Sequence, residues 1–319
     1  MNKEGKILVI GACGQLGTEL VEELRKRNGV ENVIASDIAD VTPALEGGPF
    51  LKLDVLNADQ VNKTIEDNGI VEVFHLAAIL SAKGETMPLK AWDINMNGLM
   101  NILEAARTYK LKVFWPSSIA VFGLNTPKDL TPQDTVMQPN TVYGMSKLAG
   151  ELWCQYYFEK YGVDVRSIRY PGLIGWKSLP GGGTTDYAVD IFHKALAGDK
   201  FECFLSEKTG LPMMYMPDAV RGTLELMDAD AERLTVRTSY NLSGMSFTPE
   251  GIFAELKKHF PEFEIEYKPD FRQAIADSWP SSIDDAQASK DWDWQPEYDL
   301  SKMSEDIITN LKKISFQEA

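Results

Sequence analysis

Tyr143 and Lys147 stand four residues apart in the run Tyr-Gly-Met-Ser-Lys, with Ser117 and Ser118 a strand-to-helix connection upstream. Near the N-terminus Gly11, Gly14 and Gly17 recur at three-residue intervals. Together these residue types point to oxidation or reduction of an alcohol by a dinucleotide, without a metal. A tyrosine works as a base near neutral pH only if its phenolate is stabilised, because the free side chain titrates near pH ~10. Residues four apart share a helix face, so the Lys147 ammonium sits where its charge favours phenolate at Tyr143. A Tyr-x-x-x-Lys spacing alone is common on amphipathic helices, and its weight here comes from the serines and the glycine loop that accompany it.

The stretch Gly11-Ala12-Cys13-Gly14-Gln15-Leu16-Gly17 follows a strand candidate and opens a helix. Backbone there can approach a pyrophosphate closely while the helix N-terminus supplies donors and the positive end of a dipole. Asp37, followed by Ile38, ends the next strand 20 residues past Gly17. A carboxylate at that point accepts hydrogen bonds from the adenosine ribose 2′-OH and repels a 2′-phosphate, which selects NAD over NADP. No arginine stands beside Asp37 to reverse that preference. Its plainer role would be a helix cap or turn. Asp54-Val55 closes the third strand and Leu76-Ala77-Ala78 the fourth, both at carboxyl edges where open α/β sheets bind ligands.

The elements that must carry these residues are legible over the first ~170 positions, where short apolar runs alternate with helical periods in the manner of βαβ units. Strands are expected at Lys6–Ile10, Asn32–Ser36, Phe50–Leu53, Val71–Leu76, Val113–Pro116 and Val165–Arg169. Helices are expected at Gln15–Arg27, Ala58–Asn68, Ala91–Tyr109 and Val142–Tyr161. After Arg169 the pattern changes to Tyr170-Pro171-Gly172 and then to a glycine-rich loop from Pro180 to Asp186, which suits a lobe boundary or a lid over a ligand. Helices near Asp186–Ala197, Asp218–Asp228, Pro249–His259 and Leu300–Lys313 follow. This places an NAD-binding domain over 1–172, to which the chain returns around 217–247, and a substrate-binding lobe over 173–216 and 248–319. The Met213-Met214-Tyr215-Met216 run is expected to pack as strand, with substrate contact as the alternative.

Composition bounds the rest. The chain has 319 residues, 44% of them apolar and 25% charged, enough for a large α/β body with a smaller appended lobe. A net charge of −15 repels nucleic acid and anionic membrane. Nothing reads as a membrane span or a signal-peptide core, and Cys13, Cys154 and Cys203 are too widely spaced for a disulfide framework, so a cytoplasmic location is expected. His75, His193 and His259 fall in no metal-ligand pattern and read as ordinary packed or surface residues. The helices over 91–109 and 142–161 carry apolar residues around much of their circumference, including Met100, Leu103, Leu148, Leu152, Trp153 and Tyr157. Such helices are covered on more than one side, by a second copy of the chain or by its own C-terminal segment.

The glycine loop, Asp54-Val55, His75-Leu76-Ala77-Ala78, Asn95, Pro116-Ser117-Ser118, Tyr143-x-x-x-Lys147 and Arg169-Tyr170-Pro171-Gly172 resemble the extended short-chain dehydrogenase/reductases. The resemblance covers essentially the whole chain. It implies a doubly wound Rossmann fold of about seven mostly parallel strands, a C-terminal substrate lobe, and a homodimer joined by those two helices as a four-helix bundle. The segments Gly183–Val189, Leu211–Ala219 and Ser278–Asp284 resemble, within that superfamily, the short-chain type of L-threonine 3-dehydrogenase.

By that resemblance Tyr143 is the general base, Lys147 its electrostatic partner and a ligand of the nicotinamide ribose, and Ser118 the holder of the substrate hydroxyl. Ser118 stands where the family often has threonine, a departure that keeps the hydroxyl. Ser81, Thr184, Thr185 and Trp279 match positions lining an amino-acid pocket, although packing alone would also account for Trp279. Asn95 lies on the helix that relays protons from Lys147, and Asn95, Ser117 and Tyr170 join the cofactor set. The implied reaction takes L-threonine and NAD to L-2-amino-3-oxobutyrate and NADH. The alternatives are a nucleotide-sugar epimerase or dehydratase of the same superfamily, and a non-catalytic NAD-sensing module.

Overall fold

The computed structural model describes residues 5–177 and 183–317. In chain order these form β1 (Lys6–Ile10), α1 (Gln15–Asn28), β2 (Val33–Asp37), β3 (Phe50–Lys52), α2 (Ala58–Asn68), β4 (Ile70–His75), α3 (Ser81–Thr86), α4 (Pro88–Trp92), α5 (Gly98–Tyr109), β5 (Lys112–Phe114), β6 (Ser117–Ser118) and α6 (Val142–Tyr161). They continue as β7 (Val165–Arg166), β8 (Ile168–Tyr170), β9 (Gly172–Ile174), α7 (Tyr187–Ala197), β10 (Phe201–Cys203), β11 (Leu211–Tyr215), α8 (Met216–Asp228), β12 (Tyr240–Asn241) and β13 (Met245–Phe247). The last elements are α9 (Pro249–His259), β14 (Ile265–Tyr267), α10 (Arg272–Ala276), α11 (Ala286–Trp292) and α12 (Leu300–Gln317).

A parallel six-stranded sheet in the order β3-β2-β1-β4-β5-β7 forms the centre. Along it side chains alternate between two apolar layers, because successive residues of a strand point to opposite faces. Ile7, Val9, Phe74 and Phe114 pack with Leu20 and Leu24 of α1 and Leu224 of α8. Leu8, Ile10, Val73 and Val113 pack with Val61 and Ile65 of α2 and Leu99 and Ile102 of α5. A third cluster, around Phe192, Tyr215, Leu256, Met303 and Trp279, holds the C-terminal elements to the sheet's carboxyl edge. This is the doubly wound Rossmann architecture expected of the sequence.

Two expected elements divide. The strand expected at Val165–Arg169 breaks at Ser167 into β7 and β8, and a further strand, β6, follows the one expected at Val113–Pro116, which is β5. Pro116 lacks an N–H and cannot extend the ladder, and β8 pairs with β6 on one side and β12 on the other in a separate three-stranded sheet. The helix expected over 91–109 is three pieces, with a π turn at Asp93–Asn97 between α4 and α5. Turns of that kind concentrate at functional sites, and this one aims Asn95 inward, where its side chain bonds the Ile79 N–H (2.8 Å) and carbonyl (3.1 Å).

Helix α6 has the expected bounds because both ends are signalled locally. The Thr141 hydroxyl accepts from the Gly144 N–H at 3.0 Å, and Gly162 takes a left-handed φ of 68° just past the last turn. The Met213-Met214 pair of β11 is fully buried and packs as strand. Of the glycine-rich loop, residues 180–182 lie outside the described residues and 183–186 within them. The three cysteines are free, and no described helix is long and apolar enough to cross a membrane.

Candidate active site

One cavity of ≈ 750 Å³ runs across the carboxyl edge of the sheet, where strand order reverses at β1 and β4. Its wall gathers the glycine loop with Gln15 and Leu16, then Asp37, Ile38, Asp54, Val55 and Leu76-Ala77-Ala78. It continues through Ser117, Ser118, Tyr143, Lys147 and Tyr170 to Ser81, Thr184, Thr185 and Trp279. Residues more than 250 positions apart in the chain thus share one wall. Asn95 is not on that wall. It braces the site from behind, donating to the Ser146 hydroxyl at 3.1 Å, which in turn donates to the Tyr143 carbonyl at 2.7 Å.

The three loop glycines have different reasons to be glycine. A Cβ on Gly11, whose φ is +82°, would fall 2.6 Å from the Ala77 nitrogen, and one on Gly17 would fall 2.4 Å from the Gly11 carbonyl oxygen. Both positions are closed by the protein's own backbone. A Cβ on Gly14 would meet nothing nearer than the Gly11 oxygen at 3.4 Å, an ordinary contact. Gly14 is the residue that caps α1, so the space a side chain would fill is the space in front of the helix N-terminus, where a phosphate binds. Gly14→Ala is therefore expected to cost at most about 1 kcal/mol of folding stability while weakening NAD binding by about tenfold or more. Gly17→Ala should lower the melting temperature as well. Thermal melts paired with NAD titrations separate the two, and equal behaviour of the variants would contradict this division.

Asp37 ends β2 with its carboxylate on the wall, where Oδ2 accepts from the Cys13 N–H at 2.9 Å and Oδ1 from the Ala39 N–H at 3.0 Å. Each oxygen keeps a lone pair for a ribose hydroxyl. Burial and the Asp37 carboxylate together push the Cys13 thiol up to about 11. Asp54 orders the next corner by accepting from the Leu56 N–H at 3.0 Å. Tyr170 ties its hydroxyl to Thr223 and is part of the cavity wall. The donor set, the room at Gly14 and the carboxylate at Asp37 all fit NAD.

At the other end, the Ser118 hydroxyl hydrogen-bonds the Tyr143 phenol, and Lys147 Nζ donates to the Pro116 carbonyl at 2.6 Å. Nζ lies 5.5 Å from the centroid of the Tyr143 ring and 4.5 Å from that of Trp115. The protein's own groups oppose charge on both members of the pair. Burial pushes the Tyr143 phenol up to about 12, with Ser118 pulling it down, and burial brings the Lys147 ammonium down to about 7. The Lys147 charge alone thus falls short of making Tyr143 a base, because desolvation costs more than one neighbouring ammonium returns.

Two features lie behind the wall: His75, read from the sequence as an ordinary packed or surface residue, and Glu151, not singled out from the sequence. His75 is buried with neither ring nitrogen partnered among the described residues, and burial brings it down to about 3. Glu151 is wholly buried and accepts from the Ser117 hydroxyl at 2.6 Å. Its spacing was the available signal, since it continues the four-residue interval from Tyr143 to Lys147 by one more step.

A family model described as the NAD dependent epimerase/dehydratase family matches residues 7–242. An uncharacterized epimerase/dehydratase of Staphylococcus haemolyticus is 50% identical over 97% of this chain and 98% of its own length. Among solved structures, the holo form of a GalE-like L-threonine dehydrogenase from Cupriavidus necator is 53% identical, covering 96% of this chain and 99% of that one, with a TM-score of 0.94. A monomeric L-threonine 3-dehydrogenase from a metagenome is 50% identical over 97% and 99%, also at 0.94. Glycine loop, Asp37 and the Tyr143–Lys147 pair on one wall agree with these likenesses, and the chain belongs to the NAD dependent epimerase/dehydratase family, with NAD as its cofactor.

Proposed function

We propose that the protein oxidises L-threonine at C3 to L-2-amino-3-oxobutyrate. The observation that carries this reading is the far end of the cavity. There Ser81, Thr184, Thr185 and Trp279 share the cavity wall with Ser118 and Tyr143. Ser81 and Thr184 hydroxyls stand 3.4 Å apart, and the buried Trp279 indole N–H has no acceptor among the described residues. Donors of this kind suit an amino-acid carboxylate. The threonine dehydrogenase neighbours, similar along nearly their full length, support the same substrate.

Bound NAD⁺ supplies the hydride acceptor for the hydrogen on C3. Ser118 holds the C3 hydroxyl, and Tyr143 removes its proton as the carbonyl forms. Lys147, anchored on the Pro116 carbonyl, keeps a positive charge beside the phenolate and would hydrogen-bond the nicotinamide ribose of bound NAD. Asn95 fixes the start of α6 through Ser146. Threonine would bind between the substrate lobe of residues 173–216 and 248–319 and the dinucleotide domain. Three unpaired thiols suit a cytoplasmic setting. The test is NADH formation followed at 340 nm with L-threonine, D-threonine, L-serine or a UDP-sugar and either NAD or NADP. Turnover of L-threonine with NAD is expected. Silence at 340 nm in every arm, with conversion of the UDP-sugar seen by NMR, would replace this reading with an epimerase or dehydratase, which returns its NAD oxidised at the end of each cycle; silence with no conversion despite NAD binding would leave an NAD sensor.

The same proposal includes a homodimer through the helices over 91–109 and 142–161. Leu103 and Tyr157 are buried within the chain, but Leu152, Trp153 and Tyr156 are 56%, 40% and 45% exposed on α6, and Trp92 is 43% exposed on α4. Trp153 and Tyr156 pack edge to face at 5.6 Å, which makes a rigid aromatic surface suited to a twofold interface. Trp153→Glu is expected to weaken the dimer at least tenfold, about 1.4 kcal/mol or more. Sedimentation of the wild type as a monomer, as the metagenome neighbour is described, would refute the dimer.

A further inference from the structure

Behind the catalytic wall lies a buried ion pair. Glu151 is 0% exposed and Arg169 1%. Arg169 Nε and Nη2 donate to the two Glu151 oxygens at 2.9 and 2.8 Å. Glu151 also accepts from the Ser117 hydroxyl at 2.6 Å. Arg169 Nη1 continues the network to the Gln133 carbonyl at 2.9 Å and to Asn241 Oδ1 at 3.0 Å. Asn241 in turn donates to the carbonyls of Thr131 and Asp284. Taking two charges out of water is costly, and apolar residues of similar volume stabilise a core at least as well. The placement of this pair, rather than its contribution to stability, is therefore its informative property.

The charged and titratable groups facing Lys147 can be named. Tyr143, Glu151 and Cys154 lie on its own helix, and His75 ends β4. Burial keeps Cys154 a thiol and His75 a neutral imidazole. That leaves Glu151 as the anion among them, one helical turn beyond Lys147. Glu151 itself faces Lys147, Cys154 and Arg169.

We propose that the Glu151–Arg169 pair is a positioning device for the Ser118, Tyr143 and Lys147 group: Glu151 fixes Ser117, and through it the adjoining Ser118 hydroxyl, and provides the negative charge that holds Lys147 as an ammonium. Arg169 limits that charge, so that Lys147 is supported without the Tyr143 phenolate being repelled. The inference rests on Tyr143 being the base, as proposed above, and on no particular substrate.

The test needs no turnover. Full-length protein labelled at tyrosine Cζ with carbon-13 is saturated with NAD⁺ and titrated by NMR, the Tyr143 signal being assigned by its loss in Tyr143→Phe. Glu151→Gln removes the anion one turn beyond Lys147 and leaves Arg169 unneutralised, so the Lys147 midpoint, read from carbon-13 at lysine Cε, should fall by about one pH unit or more, and the Tyr143 midpoint should rise as the ammonium is lost. Arg169→Gln leaves the anion uncompensated and should raise the Lys147 midpoint. Unmoved Lys147 midpoints, or two single variants shifting it in the same direction, would overturn the proposal. Should either single variant fail to fold, the double variant still decides: with the anion gone, the Lys147 midpoint should fall by roughly half a unit, and an unchanged value would count against the pair. Failure of threonine turnover with the expected shifts would remove the substrate reading and leave this one standing.

Discussion

Tyr143→Phe is expected to lower kcat by about 10²–10⁴-fold while leaving the dissociation constant for NAD within about twofold. The phenol lines the cavity, hydrogen-bonds the Ser118 hydroxyl and has its ring centroid 5.5 Å from the Lys147 ammonium. Phenylalanine keeps the ring, its packing against the neighbouring apolar cluster and the Lys147 contact, and removes only the atom that takes the proton. The same geometry fixes the sign of the pH dependence. Burial holds the phenol at about 12, whereas activity needs it ionised, so kcat/KM should rise with pH until Tyr143 has lost its proton. Lys147, brought down to about 7 by burial even with Glu151 opposing the fall, gives up its own proton within that rise. The rising limb should therefore belong to the pair rather than to either residue alone. In Tyr143→Phe that limb should vanish from the residual activity. A variant turning over at near wild-type rate, with the limb intact, would take the hydroxyl out of the chemistry.

The site was more legible in the sequence than the backbone that carries it. Residues with chemistry sit at the ends of βαβ units, and one parallel sheet brings all its carboxyl ends to one edge. Asp37, Asp54, Leu76 and Ser118 could thus be placed together from their positions alone, and they do line one cavity. Helix α6 was readable to the residue because Thr141 and Gly162 punctuate it. The break at Ser167 and the extra strand β6 were not, since no glycine or proline interrupts Val165–Tyr170 and only tertiary pairing of β8 with β6 and β12 decides where one sheet stops and another starts. The π turn at Asp93–Asn97 escaped for a similar reason: helical periodicity hardly registers one inserted residue, and the bonds from Asn95 to Ile79 that stabilise it are long-range. Asn95 could be assigned to the site but not to its reverse side. Glu151 escaped because a glutamate on a helix usually faces solvent, and its burial depends on Arg169, which arrives from β8.

Asp37→Asn should move the cofactor preference from NAD toward NADP with little change in kcat. The carboxylate has two jobs in the structure. It organises the glycine loop by accepting from the Cys13 and Ala39 N–H groups, and it presents charged oxygens to the cavity wall. Asparagine keeps one carbonyl oxygen for the loop and removes the charge. Hydrogen bonds to a charged acceptor contribute about 1.5–3 kcal/mol, so kcat/KM with NAD should fall by roughly tenfold or more. The repulsion that the carboxylate imposes on a 2′-phosphate disappears in the same step, so kcat/KM with NADP should rise. No arginine lies on the described cavity wall, and the exposed neighbour Ile38 offers no charge, so NADP should gain by relief of repulsion and not by a new contact. Arginine at position 38 should therefore add to the switch when combined with Asp37→Asn. Initial rates with both cofactors at one substrate concentration decide the matter. If the ratio of the two specificities stays at the wild-type value, Asp37 acts as a clamp on the loop and the selection of NAD resides elsewhere.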